Sequence, residues 1–133
     1  MRITNLYGYA ASRPMKKRVA EICNVLYGEA NVSCEPSRAE IAYAIQNREF
    51  ELRGFQDDLV TLKSEWDLAA QHNFDEFCRL VKTYHARRIA FFVVNGWNEP
   101  IVLRDDGSTI EDGLHRLKVA LYKGMPEVEI TQL

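Results

Sequence analysis

The chain has 133 residues, of which 47% are hydrophobic and 27% are charged. A chain of this length buries about two-thirds of its unfolded surface around one core, so length and composition predict a single domain over residues 1–133. Its 17 basic and 19 acidic residues give a net charge of −2. This balance excludes proteins that coat DNA through bulk positive charge, because neutralising many phosphates needs a concentrated cationic surface.

Positive charge is concentrated at the start of the chain. Residues 2–18 contain five basic residues and no acidic one, whereas residues 89–133 contain four basic and seven acidic residues. A cationic surface that contacts nucleic acid is one explanation of this cluster, and a solvated charged face is the commoner one. The candidates for nucleic-acid contact are Arg13, Lys16, Lys17 and Arg18.

The sequence predicts a cytoplasmic protein without a membrane partner. Its start lacks the apolar run of a signal peptide, and the longest apolar run, residues 89–94, is too short to cross a bilayer. Cys23, Cys34 and Cys78 are widely spaced and include no Cys-x-x-Cys pair. We therefore expect reduced thiols that pack as small apolar groups.

Apolar residues at helical spacing predict a first helix over residues 15–27. Pro14 suits its first turn, and Gly28 ends it. The basic cluster would lie on the opening turn of this helix, where the helix dipole favours acids instead. This placement would be electrostatically unfavourable.

Three further helices are predicted before residue 89. Ser37 and Glu40 form a capping-box pattern for the second, which ends near Asn47. Asn73 caps the fourth, and the arginine pair at 87–88 marks its end. The expected inward-facing stripe of the third helix is Phe55, Leu59, Leu62, Trp66 and Ala69, and that of the fourth is Phe74, Phe77, Cys78, Val81 and Tyr84.

The composition of the sequence changes after Arg88. Residues 89–94 are continuously apolar and rich in β-branched and aromatic residues, which predicts a buried strand. Further predicted elements are a strand at 101–103, a turn at 105–108, a strand that starts at Thr109, a helix closed by Gly124 and a final strand around Val128 and Ile130. The expected fold is α/β (α+β): a mainly helical part, residues 1–88, packed on a small mixed sheet formed chiefly by residues 89–133.

The most informative segment is Asp112-Gly113-Leu114-His115-Arg116. A predicted strand ends in Asp-Gly, and a His-Arg pair opens a helix whose free backbone N–H groups favour an anion. Gly113 lets backbone approach a ligand, Arg116 can bind two phosphate oxygens, and His115 can donate a hydrogen bond or transfer a proton. Asp112 can hold Mg²⁺ or orient His115. The alternative is a structural turn in which Arg116 pairs with Asp112.

The order of elements around this segment resembles a known superfamily. Pro100 opens a strand, Asp106-Gly107 forms a turn, and a second strand ends in Asp-Gly-x-His-Arg before a helix closed by Gly124. This pattern, over residues 89–133, resembles the core of the ParB/sulfiredoxin-like superfamily. In this strand-turn-helix context the motif is more specific than it would be alone.

The resemblance implies a nucleoside triphosphate, ATP or CTP, bound with Mg²⁺. ParB proteins bind and hydrolyse CTP and clamp DNA, sulfiredoxins use ATP, and related domains include a serine kinase and nucleases. By position, Gly113, His115 and Arg116 would contact the phosphates. His115 and Asp112 would be the catalytic residues, and Asp112 would recruit the Mg²⁺. Leu114 replaces the reactive cysteine of sulfiredoxins, which argues against reduction of sulfinic acids.

A loop before the motif provides two further candidates. If residues 89–94 form a strand beside the one that ends at Asp112, Trp97 and Asn98 lie where they can stack on or hydrogen-bond a nucleotide base. The alternative is that Trp97 is an aromatic residue that anchors its loop.

Three hypotheses of function follow from the sequence. The first is a nucleotide- or phosphate-binding domain of ParB/sulfiredoxin type, with nucleotide hydrolysis or phosphotransfer as its implied activity. The second is a nucleic-acid-binding or nuclease-like regulatory protein of plasmid or phage type, and the third is a non-catalytic adaptor that binds another protein. The sequence leaves open which nucleotide binds, whether it is turned over, and the oligomeric state, a dimer included.

Overall fold

A computed structural model describes residues 2–4, 10–23, 35–54 and 59–133. In chain order they form β1 (Arg2–Thr4), β2 (Ala10–Ser12), β3 (Met15–Arg18), a 3-10 helix (Val19–Glu21), α1 (Arg38–Gln46), α2 (Leu59–His72), α3 (Phe74–Asn95), β4 (Ile101–Leu103), β5 (Ile110–Asp112), α4 (Leu114–Lys123) and β6 (Glu127–Gln132). The fold is a mixture of α-helices and β-strands, as the sequence predicts.

The chain divides into two compact units. One consists of Met1–Asn24 with Trp97–Leu133, and the other is Val25–Gly96. The predicted division into a helical part up to residue 88 and a sheet after it is therefore wrong, because the first strands belong with the last ones. The single domain predicted from length stays a prediction.

The first unit contains a mixed four-stranded sheet in the order β3-β6-β4-β5. β4 and β6 are parallel, and the other neighbouring strands are antiparallel. A separate antiparallel pair is formed by β1 and β2. α4 connects β5 to β6, and the core between this helix and the sheet contains Val19, Ile22, Ile101, Leu103, Leu117, Ala120, Val128 and Ile130. The strands and the helix predicted after residue 100 are confirmed.

The helix predicted at residues 15–27 is wrong where the structure describes it; residues 24–27 lie outside the described residues. Met15–Arg18 is an edge strand that pairs with β6, so the basic cluster lies on a strand and not on the first turn of a helix. Val19 and Ile22 enter the core from the turn that follows. The reason is tertiary: backbone hydrogen bonds to a distant strand override a local apolar spacing.

The strand predicted at residues 89–94 is also wrong, because α3 continues through them to Asn95. A short apolar run fits a buried strand and a buried helix equally well. No glycine or proline interrupts the helix before this run, and the helix ends only at Gly96, where φ is +72° and the N–H donates to the Phe92 carbonyl. The arginine pair at 87–88 therefore lies inside the helix and not at its end.

In the second unit, α1 and α2 both pack on α3. The predicted capping box is confirmed: the Ser37 hydroxyl accepts from the Glu40 N–H, and a Glu40 carboxylate oxygen accepts from the Ser37 N–H. The Asn73 side chain caps α3 by accepting from the Glu76 N–H. In the described ranges, no helix combines the length and the apolar composition needed to cross a membrane.

The predicted inward-facing stripes are confirmed in part. Leu62, Ala69, Val81 and Tyr84 are buried. Phe74, however, is 59% exposed at the first position of α3. The predicted start of the third helix at residues 55–58 lies outside the described residues.

Of the three cysteines, two lie among the described residues. Cys78 is half-buried, whereas Cys23 is exposed, so the prediction of a packed apolar thiol is wrong for Cys23. Cys23 directly follows the core residue Ile22. Its backbone N–H donates a hydrogen bond to the Ser108 carbonyl. Cys34 lies outside the described residues.

The predicted turn between β4 and β5 is closed by the Asp106 carboxylate. It accepts hydrogen bonds from the Thr109 hydroxyl and from the backbone N–H groups of Thr109 and Ser108. These bonds, led by the one from the Thr109 hydroxyl, lower the pKa of Asp106 from 3.8 to about 2. The folded state therefore favours the charged carboxylate. Its contribution to the stability of the fold is complete above the unfolded pKa of 3.8 and is lost as the pH falls through the folded pKa of about 2.

We expect Asp106→Asn to lower the melting temperature at neutral pH, because an amide oxygen cannot replace the carboxylate at all three donors. The difference between wild type and variant should shrink as the pH falls from 3.8 towards about 2. Thermal unfolding at a series of pH values measures this difference, with Asp105→Asn as the neighbouring control. A difference that stays constant through that pH range contradicts the assignment.

Thr131 is buried on β6, and its hydroxyl is, among the described residues, the one buried side-chain polar atom without a hydrogen-bond partner. Burying a hydroxyl without a partner costs about 1 to 3 kcal/mol. We therefore expect Thr131→Val, which replaces the hydroxyl with a methyl group, to raise the free energy of unfolding by about 1 kcal/mol. Urea unfolding measures the change, and Thr131→Ser, which keeps the hydroxyl, is the control. Lower stability in Thr131→Val would mean that the hydroxyl makes a hydrogen bond that stabilises the folded state.

Candidate functional site

The Asp-Gly-x-His-Arg segment forms the connection between β5 and α4. β5 ends at Asp112, and Gly113 is the N-cap of α4, with a left-handed conformation (φ +109°, ψ +24°). No side chain caps this end of the helix, and the Leu117 N–H donates to the Gly113 carbonyl to start the helical ladder. The N–H groups of a first helical turn point out of the helix, so this end has the character of an anion site.

Arg116 lies inside this connection. Its Nη2 donates to Asp112 Oδ2 at 2.8 Å, and its Nη1 donates to the backbone carbonyls of Glu99 and Pro100, each at 2.9 Å. Arg116 is only 6% exposed. The structural alternative that the sequence leaves open, an Arg116–Asp112 pair, is therefore present. The guanidinium joins the segment before β4, the end of β5 and the start of α4.

Gly113 leaves room for that guanidinium. A Cβ atom at position 113 would lie 3.1 Å from Cζ, Nε and Nη2 of Arg116. Such contacts are tighter than ordinary van der Waals distances, and the guanidinium is held by three acceptors. Glycine is thus required here for two reasons, the positive φ and the close approach of Arg116.

His115 and Arg116 are both buried in the first turn of α4. Lys118 is also buried, three residues after His115, and so lies on the same side of the helix as His115. Lys118 and the carbonyls of Glu99 and Pro100 were not predicted from the sequence. The spacing between His115 and Lys118 could have indicated the lysine, but backbone acceptors carry no sequence signal.

The basic residues proposed for nucleic-acid contact lie on and just before the edge strand β3. Arg13, Lys16 and Arg18 are exposed, and Lys17 is half-buried. In the register with β6, Lys16 is opposite Glu129 and Arg18 is opposite Glu127. Opposite charges across an antiparallel pair stabilise the sheet, and charged residues on an edge strand discourage pairing with other chains. These acids also reduce the positive field of the cluster.

Trp97 and Asn98 lie between the end of α3 and the start of β4, and not between two strands, because residues 89–94 are helical. The premise that placed them beside a nucleotide base is therefore wrong. Trp97 is half-buried and Asn98 is exposed. They immediately precede Glu99 and Pro100, whose carbonyls bind Arg116. Base contact by these two residues stays a prediction.

Metal binding by Asp112 stays a prediction. Within the part of the chain that the structure describes, no three His, Cys, Asp or Glu side chains come together as a metal site. One oxygen of Asp112 accepts a hydrogen bond from Arg116. The arrangement can position an anion through backbone and cationic groups.

The chain matches no family model, no curated protein and no solved structure. The resemblance to the ParB/sulfiredoxin-like superfamily therefore rests on the residues themselves and stays a prediction.

Proposed function

We propose that the connection from Asp112 to Arg116 binds a phosphate group of a nucleoside triphosphate. The observation that carries the proposal is the uncapped start of α4 at Gly113, directly after a strand of the sheet. Gly113 itself places no side chain over the first-turn N–H groups, and the helix dipole favours negative charge there.

Two side chains add to this preference. His115 and Lys118 are three residues apart and both buried near the start of the helix, so they would add a donor and a cation on one side of the proposed phosphate. Arg116 contributes its charge from within the turn while it keeps Asp112 and the carbonyls before β4 in place. In this arrangement Arg116 is a positioning residue, and the backbone at Gly113 makes the contact.

Nuclear magnetic resonance tests this proposal at the level of single residues. ATP, CTP and GTP are titrated, each with and without Mg²⁺, into the ¹⁵N-labelled chain. We expect the amide signal of Gly113 to shift with at least one nucleotide. Gly124, at the opposite end of the same helix, is the matched control and should not shift. Equal shifts at both glycines, or none with any nucleotide, would reject the site.

His115 provides a test by substitution. His115→Leu removes the donor and should weaken nucleotide binding about tenfold or more, since a hydrogen bond to a charged group contributes about 1.5 to 3 kcal/mol. His115→Gln keeps a donor and should retain most of the affinity. Release of inorganic phosphate with Mg²⁺ then decides between binding and turnover.

Nucleic-acid contact by the edge strand is the competing proposal. It is supported by the exposure of Arg13, Lys16 and Arg18. Binding of duplex DNA that falls steeply with salt, and that is lost when Lys16, Lys17 and Arg18 become alanine, would favour it. If neither nucleotide nor DNA binds while a specific protein does, the adaptor hypothesis is favoured.

A further inference from the structure

A cavity of about 560 Å³ lies between α1 and α3 in the helical unit. Its volume falls within the range of about 300 to 1,000 Å³ that is typical of small-molecule sites. Its lining comes from α1, from the segment that follows α1 and from the middle of α3. None of the residues proposed to bind phosphate takes part in it.

The inner lining of the cavity is apolar, and its outer lining includes an aromatic ring. Ala44 of α1 and Ala86 of α3 are buried, and their small side chains leave the space open. Tyr43 lines the same cavity although it is 58% exposed. Much of its ring is therefore available to a molecule that enters. Methyl groups and an accessible ring suit a ligand with an apolar body.

Three charged side chains also line the cavity, and their charges do not cancel. Arg87 Nη2 donates to Glu49 Oε2 at 3.0 Å, so these two groups compensate each other. Glu40 instead uses one carboxylate oxygen to accept from the backbone N–H of Ser37 at 3.0 Å, which is a neutral donor. Among the lining side chains the excess charge is therefore negative, and the capping box holds it in place. The positive end of the α1 dipole offsets this charge in part, which limits the expected effect of Glu40.

We propose that this cavity binds a small organic cation with an apolar body, such as a primary amine on an aryl-alkyl chain. The ammonium group would lie by the Glu40 carboxylate and the Tyr43 ring, which both attract positive charge. The apolar body would contact Ala44 and Ala86.

Phenethylamine is a suitable probe, and phenethyl alcohol is its uncharged counterpart of similar shape. In titrations of the ¹⁵N-labelled chain, we expect phenethylamine to shift the amide signals of Ala44 and Ala86. It should bind more tightly than the alcohol, and added salt should weaken the binding of the amine alone.

Three variants, one at Glu40 and two at Tyr43, test the assignment. Glu40→Gln keeps the capping box, because glutamine also accepts from the N-cap N–H, and it removes the charge. It should weaken amine binding about twofold to fivefold and leave alcohol binding unchanged. Tyr43→Leu should weaken amine binding by a similar factor of about two to five, whereas Tyr43→Phe should not.

Each negative outcome overturns a defined part of the proposal. Equal affinities for the amine and the alcohol, or unchanged amine binding in Glu40→Gln, would reject the cationic ligand. If neither probe shifts Ala44 or Ala86, the cavity is not a ligand site. Circular dichroism shows whether each variant keeps its helices, and the exposed Tyr43 pair remains a test if Glu40→Gln does not fold.

Discussion

Arg116→Met should destabilise the protein by about 3 to 5 kcal/mol, the cost of removing one partner of a buried ion pair. The variant leaves the Asp112 carboxylate without its guanidinium partner, and the carbonyls of Glu99 and Pro100 lose their donor. Because Arg116 joins three segments, the loss should also loosen the start of α4. Urea unfolding measures the free energy, and hydrogen exchange at the Leu117 amide reports the local opening.

A double variant separates the ion pair from the other effects of the substitution. In Arg116→Met with Asp112→Leu, no unpaired carboxylate remains, so the two changes should be less costly together than their sum, with a coupling of about 1 to 3 kcal/mol. Arg116→Lys is the control for charge, since its single ammonium group cannot reproduce the fork of the guanidinium. A loss below about 1 kcal/mol in Arg116→Met would indicate that the guanidinium is not needed inside the protein. It would then be more available to a ligand than we propose.

Gly113→Ala should lower the free energy of unfolding by about 2 to 5 kcal/mol. The left-handed conformation at φ +109° costs an L-residue about 1 to 2 kcal/mol. The new Cβ would also lie 3.1 Å from three atoms of the Arg116 guanidinium, and overpacking of a held side chain costs about 1 to 3 kcal/mol. Urea unfolding again provides the measurement.

Gly124→Ala is the matched control for this effect. Gly124 ends α4 with φ +71°, and a Cβ atom there would meet nothing within 4 Å. It should therefore show only the conformational cost of about 1 to 2 kcal/mol. If the two alanine variants are equally stable, the contact between Gly113 and Arg116 has no energetic weight, and the close approach described at the site is incidental.

These two results also bear on the proposed phosphate site. If Arg116 mainly positions the turn, its loss should reduce nucleotide binding and stability together, whereas His115→Leu should reduce binding more than stability. The ratio of the two losses distinguishes a residue that positions the turn from one that contacts the ligand. If a variant of Arg116 folds normally and binds no nucleotide, Arg116 contacts the ligand and is more than a positioning residue.

Local signals predicted the ends of elements well. The Ser37–Glu40 capping box, the Asn73 cap and the Gly124 end of α4 all occur as predicted. Each depends on atoms within a few residues of one another, so the information is present in a short stretch of sequence. The Asp112–Arg116 pair, which the sequence offered as the structural alternative to phosphate binding, is a similar case, since its two residues are four apart.

The type of two segments was decided only by tertiary structure. β3 is a strand because β6, more than a hundred residues later in the chain, supplies its hydrogen-bond partners. Residues 89–94 are helical because α3 meets no breaker before Gly96, and an apolar run fits either state. The local pattern was ambiguous in both segments. Pairing with a distant strand decided the first, and continuation of the helix decided the second.

The sequence by itself determined the strand-glycine-helix connection, its His-Arg pair and the caps around it. Only the tertiary structure decided what Arg116 does there, because two of its three acceptors are main-chain carbonyls of Glu99 and Pro100. Every residue has a carbonyl, so its use as an acceptor leaves no trace in the side-chain sequence. Only the tertiary structure likewise shows why position 113 requires glycine. The Arg116 guanidinium lies where a Cβ atom at that position would meet it.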